Sequence, residues 1–257
     1  MIQRDEPSVI APPGTAPFTP ESTADARLVG SAAGENVTTT VGTLVVLLMA
    51  TAVFWRTAYP TITWWDSSGY SLAAATLGVY APPGSLLLTL LGWPIARLVA
   101  GTSAAHALNL LAGVLAGLTV ALVYLTATRA SSIARPAGRM DSPRRVSRGT
   151  AVGAAVGTAC GALTLAFSGT LWAYAVMFTP YVLSALFTAV ILWTMLRWWH
   201  SADASHAWLW IGVLGLEFGL DFSVHRTNAL LIPGAVAWVL LRRPGAFRSA
   251  RSVGAAT

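Results

Sequence analysis

The chain has 257 residues, 55% of them hydrophobic and 10% charged, with a mean hydropathy of +0.63. A soluble domain carries roughly 25% charged residues, so the composition excludes that class and indicates a polytopic membrane protein. The net charge of +6 comes from arginines gathered in blocks, which is topology information and not a nucleic-acid footprint. One cysteine, Cys160, excludes an intramolecular disulfide and a cysteine-cluster metal site. It reads as a small buried hydrophobe.

Residues 1–40 are rich in Pro, Thr, Ser and Ala, lack an apolar run after the first methionine, and read as a disordered cytoplasmic tail. The first span is expected over Val41–Trp55, ahead of a loop, residues 57–103, that contains YPTITWWDSSGYSLAAATLGVYAPPG. Two apolar runs follow, Ser85–Ala100 and Ala104–Thr128. The segment Arg129–Arg148 holds six arginines against the single acid Asp141, so the loop 129–149 belongs in the cytoplasm by the positive-inside rule. That parity places Ser85–Ala100 in the membrane interface. At roughly 24 Å of helix it is also short for a ~30 Å hydrocarbon core.

Further spans are expected at Thr150–Phe167, Phe178–Trp199, Ala207–Phe222 and Ala229–Leu241, with a short outer loop Ser168–Val176 after the first of these. Arg242, Arg243, Arg248 and Arg251 place the tail 244–257 in the cytoplasm. The expected architecture is an all-α membrane bundle of about six spans in residues 41–243, with an interfacial helix and both termini cytoplasmic. Gly113 and Gly117, and Gly153, Gly157 and Gly161, have the small-xxx-small spacing that lets helices approach.

On this topology the loop bearing Asp66 and the turn Ser223–Asn228, SVHRTN, share the outer side. Asp66 ahead of Ser67-Ser68 can cap a helix, or it can serve as a carboxylate at the water-facing rim. The helices flanking SVHRTN are too short to span comfortably, so His225 and Arg226 should sit below the surface in a protein-lined cavity. There they can hold a lipid phosphate, or Arg226 can snorkel to the interface with His225 packed beside it. Glu217, Asp221 and His225 recur every four residues along one face. They either pair with arginines and cavity water or form a cation or proton path, and Asp221 can also satisfy His225 directly. His106, His200 and His206 read as structural, and no ligand cluster calls for a metal.

Three stretches, Tyr59–Gly92, Thr170–Leu192 and GLDFSVHRTNALLIPG (Gly219–Gly234), taken together resemble the bacterial branch of polytopic protein O-mannosyltransferase-like proteins, which have the GT-C glycosyltransferase fold. The resemblance implies transfer of mannose or another hexose from a polyprenyl-phosphate donor to a hydroxyl of a protein, glycan or lipid at the extracytoplasmic face of the cell membrane. It implies Asp66 as general base and His225 and Arg226 as the donor-phosphate contacts. Tyr59, Trp64, Trp65, Tyr70, Tyr174 and Tyr181 become sugar or headgroup contacts, and Pro82, Pro83 and Gly84 shape the loop. Gly69 stands where the family pattern has a second acid, and Ala81 precedes Pro82 where that pattern has His or Gly. Family members usually continue with further spans and often a domain outside the membrane, so the resemblance also implies a longer protein or a partner chain. Two other readings remain open: a secondary transporter built on the Glu217/Asp221/His225 stripe, and a non-catalytic subunit of a glycosylation complex.

Overall fold

The computed structural model describes residues 21–82, 84–99, 103–133, 148–202 and 206–244. Pro83, most of the basic loop 129–149 and the tail beyond Pro244 lie outside them, as do residues 1–20 of the expected N-terminal tail. Residues 1–38 and 39–257 form two compact units. Of the first, residues 21–38 are described and are helical.

Every regular element among the described residues is helical: α1 (Glu21–Thr57), α2 (Ser67–Thr76), α3 (Leu86–Leu98), α4 (Ala104–Ile133), α5 (Arg148–Ala166), α6 (Gly169–Ala175), α7 (Pro180–Ser201), α8 (Ala207–Phe222), a 3₁₀ segment (Thr227–Leu231) and α9 (Ile232–Arg242). The stops are local. Pro180 at the first turn of α7 follows Thr179 in extended conformation, as the ring requires of the residue before it. Helix α2 ends in a left-handed Leu77, and the Gly78 amide folds back to the Ala73 carbonyl at 2.9 Å.

Three helices are long and apolar enough to cross a membrane: Val37–Thr57, Ala104–Ser131 and Pro180–Ser201. A fourth candidate is the pair Val152–Ala166 and Gly169–Ala175, bent by 65°. The protein is therefore an all-helical membrane protein with three to four candidate spans by this measure, against the six expected. The shortfall comes from α8 and α9, which have 16 and 11 residues and reach roughly 24 and 17 Å, less than a ~30 Å core. The bend also corrects the expected loop Ser168–Val176. Most of it is helix α6, started by Ser168, whose hydroxyl accepts from the Leu171 amide at 3.4 Å.

Within residues 39–257, α4 packs against α2, α3, α5, α6 and α7, and α7 carries α8 and α9. The core combines Phe54, Ala74, Leu88, Leu108, Val120, Tyr124, Phe178 and Val224. Gly113 and Gly117 do what their spacing predicts: added Cβ atoms would press on Trp55 and Phe54 and on Thr51 and Leu47. Trp55 Nε1 donates to the Leu110 carbonyl across that contact at 2.9 Å. Gly92 of α3 lets three elements meet, since a Cβ there would lie 2.8 Å from Phe178, 2.9 Å from Ala74 and 3.0 Å from Leu108. The second glycine series differs from expectation. Gly153, Gly157 and Gly161 face open space, and Cys160 on the same helix is exposed, because α5 turns this side away from the bundle.

Candidate functional site

Asp66 occupies the N-cap position of α2, yet its backbone is already right-handed helical and its side chain makes no capping bond. Instead Tyr80 donates its hydroxyl to Asp66 Oδ1 at 3.1 Å. The Tyr80 ring stands edge-on to Tyr70, centroids 4.9 Å apart, and occupies the space beside Gly69, where any Cβ would overlap its Cδ2, Cε2 and Cζ atoms. The space beside Gly69, where the resemblance implies a second acid, is thus filled by the Tyr80 phenol ring. The hydrogen bond to Asp66 and then its negative charge hold the Tyr80 phenol above its usual value of 10.0. It therefore stays a neutral donor throughout the neutral range.

The loop around Asp66 is held under backbone strain. Trp65, Leu77, Ala81 and Ser85 have positive φ angles of 60°, 53°, 51° and 44°, a region costly for side chains with a Cβ. The Gly84 amide closes a turn onto the Ala81 carbonyl at 2.6 Å with φ 98°, a conformation that suits glycine. Pro82 is exposed on this turn. The turn aims the next residue inward: Ser85 is buried and donates to the Val224 carbonyl at 2.9 Å. That bond ties the Asp66 loop directly to the turn carrying His225 and Arg226.

Asn109, an amide in the apolar face of α4, anchors the other side. It is fully buried and donates to the Tyr59 and Thr61 carbonyls at 2.9 and 3.1 Å. Its Oδ1 accepts the Phe178 amide at 2.9 Å. His106 adds a 2.8 Å bond to the Tyr59 carbonyl, in keeping with its structural reading. The entry to the Asp66 loop and the start of α7 are therefore fixed to one point.

The expected aromatic contacts divide. Trp64 and Trp65, 67% and 64% exposed, lie with Gly169, Thr170, Ala173, Tyr174 and Met177 around a hollow of about 250 Å³. Tyr174 stacks at 4.7 Å on Tyr181, which stacks at 5.2 Å on His225. A continuous aromatic surface thus runs from the Trp64/Trp65 hollow to His225. Tyr70 is buried against Tyr80 and Tyr59 is exposed, so Tyr70 packs the site rather than lining it.

His225 Nδ1 accepts the Thr227 amide at 3.3 Å and meets the Thr227 hydroxyl as well. A backbone N–H can only donate, so the lone pair is on Nδ1 and the proton on Nε2. Arg226 is exposed and its guanidinium makes no hydrogen bond or ion pair among the described residues. Both groups are thus available as donors.

Among the described residues, the acids of α8 do not pair with arginine. Thr194 donates to Glu217 Oε1 at 2.6 Å. Asp221 is fully buried beside Ser184 and Asn228. The two also meet each other, since Asn228 donates to the Ser184 carbonyl at 3.0 Å and accepts from Thr188 at 2.8 Å. Asp221 touches His225 through its main-chain carbonyl, which accepts the His225 amide at 2.8 Å. These residues join α7, α8 and the turn, as polar side chains between membrane helices do.

These features define an all-helical membrane protein whose strained Asp66 loop is hydrogen-bonded, through Ser85 and the Val224 carbonyl, to a His-Arg turn. The model of one family matches residues 66–247, beginning at Asp66 and covering the larger part of the chain. The chain belongs to the family described as the protein O-mannosyl-transferase TMEM260 N-terminal domain. That membership supports a glycosyltransferase. No curated protein and no solved structure matches the chain.

Proposed function

We propose that the protein transfers a sugar, mannose or another hexose, from a polyprenyl-phosphate donor to a hydroxyl acceptor at the outer membrane face, on a GT-C-type bundle. The six-span topology with cytoplasmic termini belongs to this reading. The short helices α8 and α9 then flank a turn that dips into the membrane. The observation that carries the proposal is Asp66: a carboxylate at a helix start that makes no capping bond, is held by the Tyr80 hydroxyl, and lies on a loop that Ser85 ties to the His225-Arg226 turn.

In the reaction, Asp66 accepts the acceptor's hydroxyl proton as that oxygen bonds to the anomeric carbon. The bond from the anomeric carbon to the phosphate oxygen breaks, and the electron pair leaves with the phosphate. His225 Nε2–H and Arg226 donate to the oxygens that gain this charge. Trp64, Trp65 and Tyr174 offer apolar ring faces to sugar C–H groups. Family membership supports the mannosyl-transfer class, and a partner chain or further domain would choose the acceptor.

The test is release of labelled sugar from a polyprenyl-phosphate mannose by purified protein, with a peptide pool as acceptor. Wild type should turn over, and Asp66→Asn should bind donor but lose transfer by at least the 10²-fold typical of a missing general base. Equal turnover in the two proteins would refute the role of Asp66. Absence of donor binding in wild type would refute the function.

A further inference from the structure

Where α7 meets α8, the bundle buries a polar cluster that the transfer reaction does not use. Asp221, in the last turn of α8, is fully buried, and neither of its carboxylate oxygens has a hydrogen-bond partner. Ser184 of α7 and Asn228 of the 3₁₀ segment lie beside it, and both are more than nine-tenths buried. Their hydrogen bonds run elsewhere. Asn228 Nδ2 donates to the Ser184 carbonyl at 3.0 Å and to the Ser184 hydroxyl oxygen at 3.4 Å. Thr188, one turn further along α7, donates to Asn228 Oδ1 at 2.8 Å. Two helices and the turn between α8 and α9 thus gather oxygens around an unpartnered carboxylate.

A carboxylate in an apolar interior is costly, and it is kept where a partner balances it. The donors beside Asp221 favour one kind of partner. Its own two oxygens, the Ser184 hydroxyl and Asn228 Oδ1 are all hard oxygen ligands, which suit hard cations. One carboxylate balances one positive charge, whereas a divalent ion would leave a net charge buried. His225 does not supply that charge, because its Nδ1 accepts the Thr227 amide and the ring is neutral. Glu217, one turn back on α8, has its own donor in Thr194 at 2.6 Å. The route in is short, since Arg226 and Thr227, next to Asn228, are exposed.

We propose that Asp221, Ser184 and Asn228 bind a monovalent alkali cation, Na⁺ or K⁺, that fastens α7, α8 and the turn between α8 and α9 together. The ion neutralises Asp221 and takes up the lone pairs that no donor reaches. Binding of this kind stabilises the folded state by mass action. It does not rest on the transfer reaction.

Thermal unfolding of the purified protein in detergent tests this, in NaCl, KCl or choline chloride at equal ionic strength and pH. Wild type should melt roughly 5–10 °C higher in an alkali salt than in choline, the shift expected at about 100 times Kd for a chain of this size. The salt with the larger shift identifies the ion. Asp221→Asn removes the charge and should melt alike in all three. Ser184→Ala removes one neutral oxygen, so it should respond only at several-fold higher salt, and it gives a second reading should the asparagine variant misfold. Glu217→Gln should respond like wild type. The proposal is overturned if Asp221→Asn keeps the alkali response, or if Glu217→Gln loses it equally. It is also overturned if wild type melts alike in the three salts, and a midpoint that then shifts with pH would assign Asp221 a proton instead.

Discussion

Replacing Asn109 with leucine keeps the side-chain size and deletes three hydrogen bonds, and the structure sets what each loss costs. The Tyr59 carbonyl keeps its 2.8 Å partner His106, so that group stays satisfied. Thr61 is exposed, so its carbonyl can exchange the amide for water, at the ~0.5–1.5 kcal/mol net value of an ordinary bond. Phe178 is fully buried, and its amide has Asn109 Oδ1 as its partner at 2.9 Å. Orphaning it costs ~1–3 kcal/mol. The total is about 2–4 kcal/mol, reduced by the better burial of leucine among Leu108, Phe178 and their neighbours. Asn109→Asp should be at least as damaging, because it keeps the acceptor for Phe178 but sets a carboxylate against two carbonyl oxygens. Both variants should also lower donor turnover, since the bonds fix the Asp66 loop relative to α7. Reversible unfolding in mixed micelles measures the first effect and labelled-sugar release the second. A loss below 0.5 kcal/mol for the leucine variant, or an aspartate variant as stable as wild type, would refute the reasoning.

Gly69→Ala should raise the helix propensity of α2 by up to ~1 kcal/mol, yet lower sugar transfer, because the new methyl displaces the Tyr80 ring from Asp66. In a Tyr80→Ala background the same change should leave transfer unaltered, and additive losses in the double variant would sink this account. Gly92→Ala should destabilise by ~1–3 kcal/mol through overpacking against Phe178, Ala74 and Leu108. Gly157→Ala, which meets nothing, should be neutral or stabilising. Thermal midpoints of the two variants check that order. Tyr80 supplies a pH prediction with a definite sign. Its folded-state value is raised above 10.0, so its contribution is complete below that pH and is lost as pH rises past it. The stability difference between wild type and Tyr80→Phe should shrink above pH 10 and stay flat from pH 6 to 9.

Hydropathy and arginine placement made the helical bundle legible, because long apolar runs have few alternatives in lipid. The span count was less legible. Counting apolar runs treats α8 and α9 like α7, although their lengths differ. The helix in place of the loop Ser168–Val176 depended on a capping serine whose role shows only with its backbone angle. The site was half legible. Asp66, His225 and Arg226 stand out because charge is rare in this chain, and their loops are joined by the Ser85–Val224 hydrogen bond. Tyr80 and Ser85 do not stand out, since their importance lies in partners 14 and 139 residues away. Asn109 had a usable signal: an amide in the run LNLLAG must find partners or pay for burial. Glu217 and Asp221 were legible as buried acids, but their neighbours on α7 were not.

The Ser85–Val224 bond has a consequence for biosynthesis. Residue 85 leaves the ribosome long before residue 224, and at ~5–20 residues per second the interval is roughly 7–28 s. Through that interval the loop holding Asp66 lacks the acceptor that receives its inward-turned serine, while α1 to α7 can already pack. The reactive arrangement is therefore completed by the final hairpin. A nascent chain arrested before Val224 should carry packed helices but a Ser85 without its acceptor, and so an incompletely held Asp66 loop.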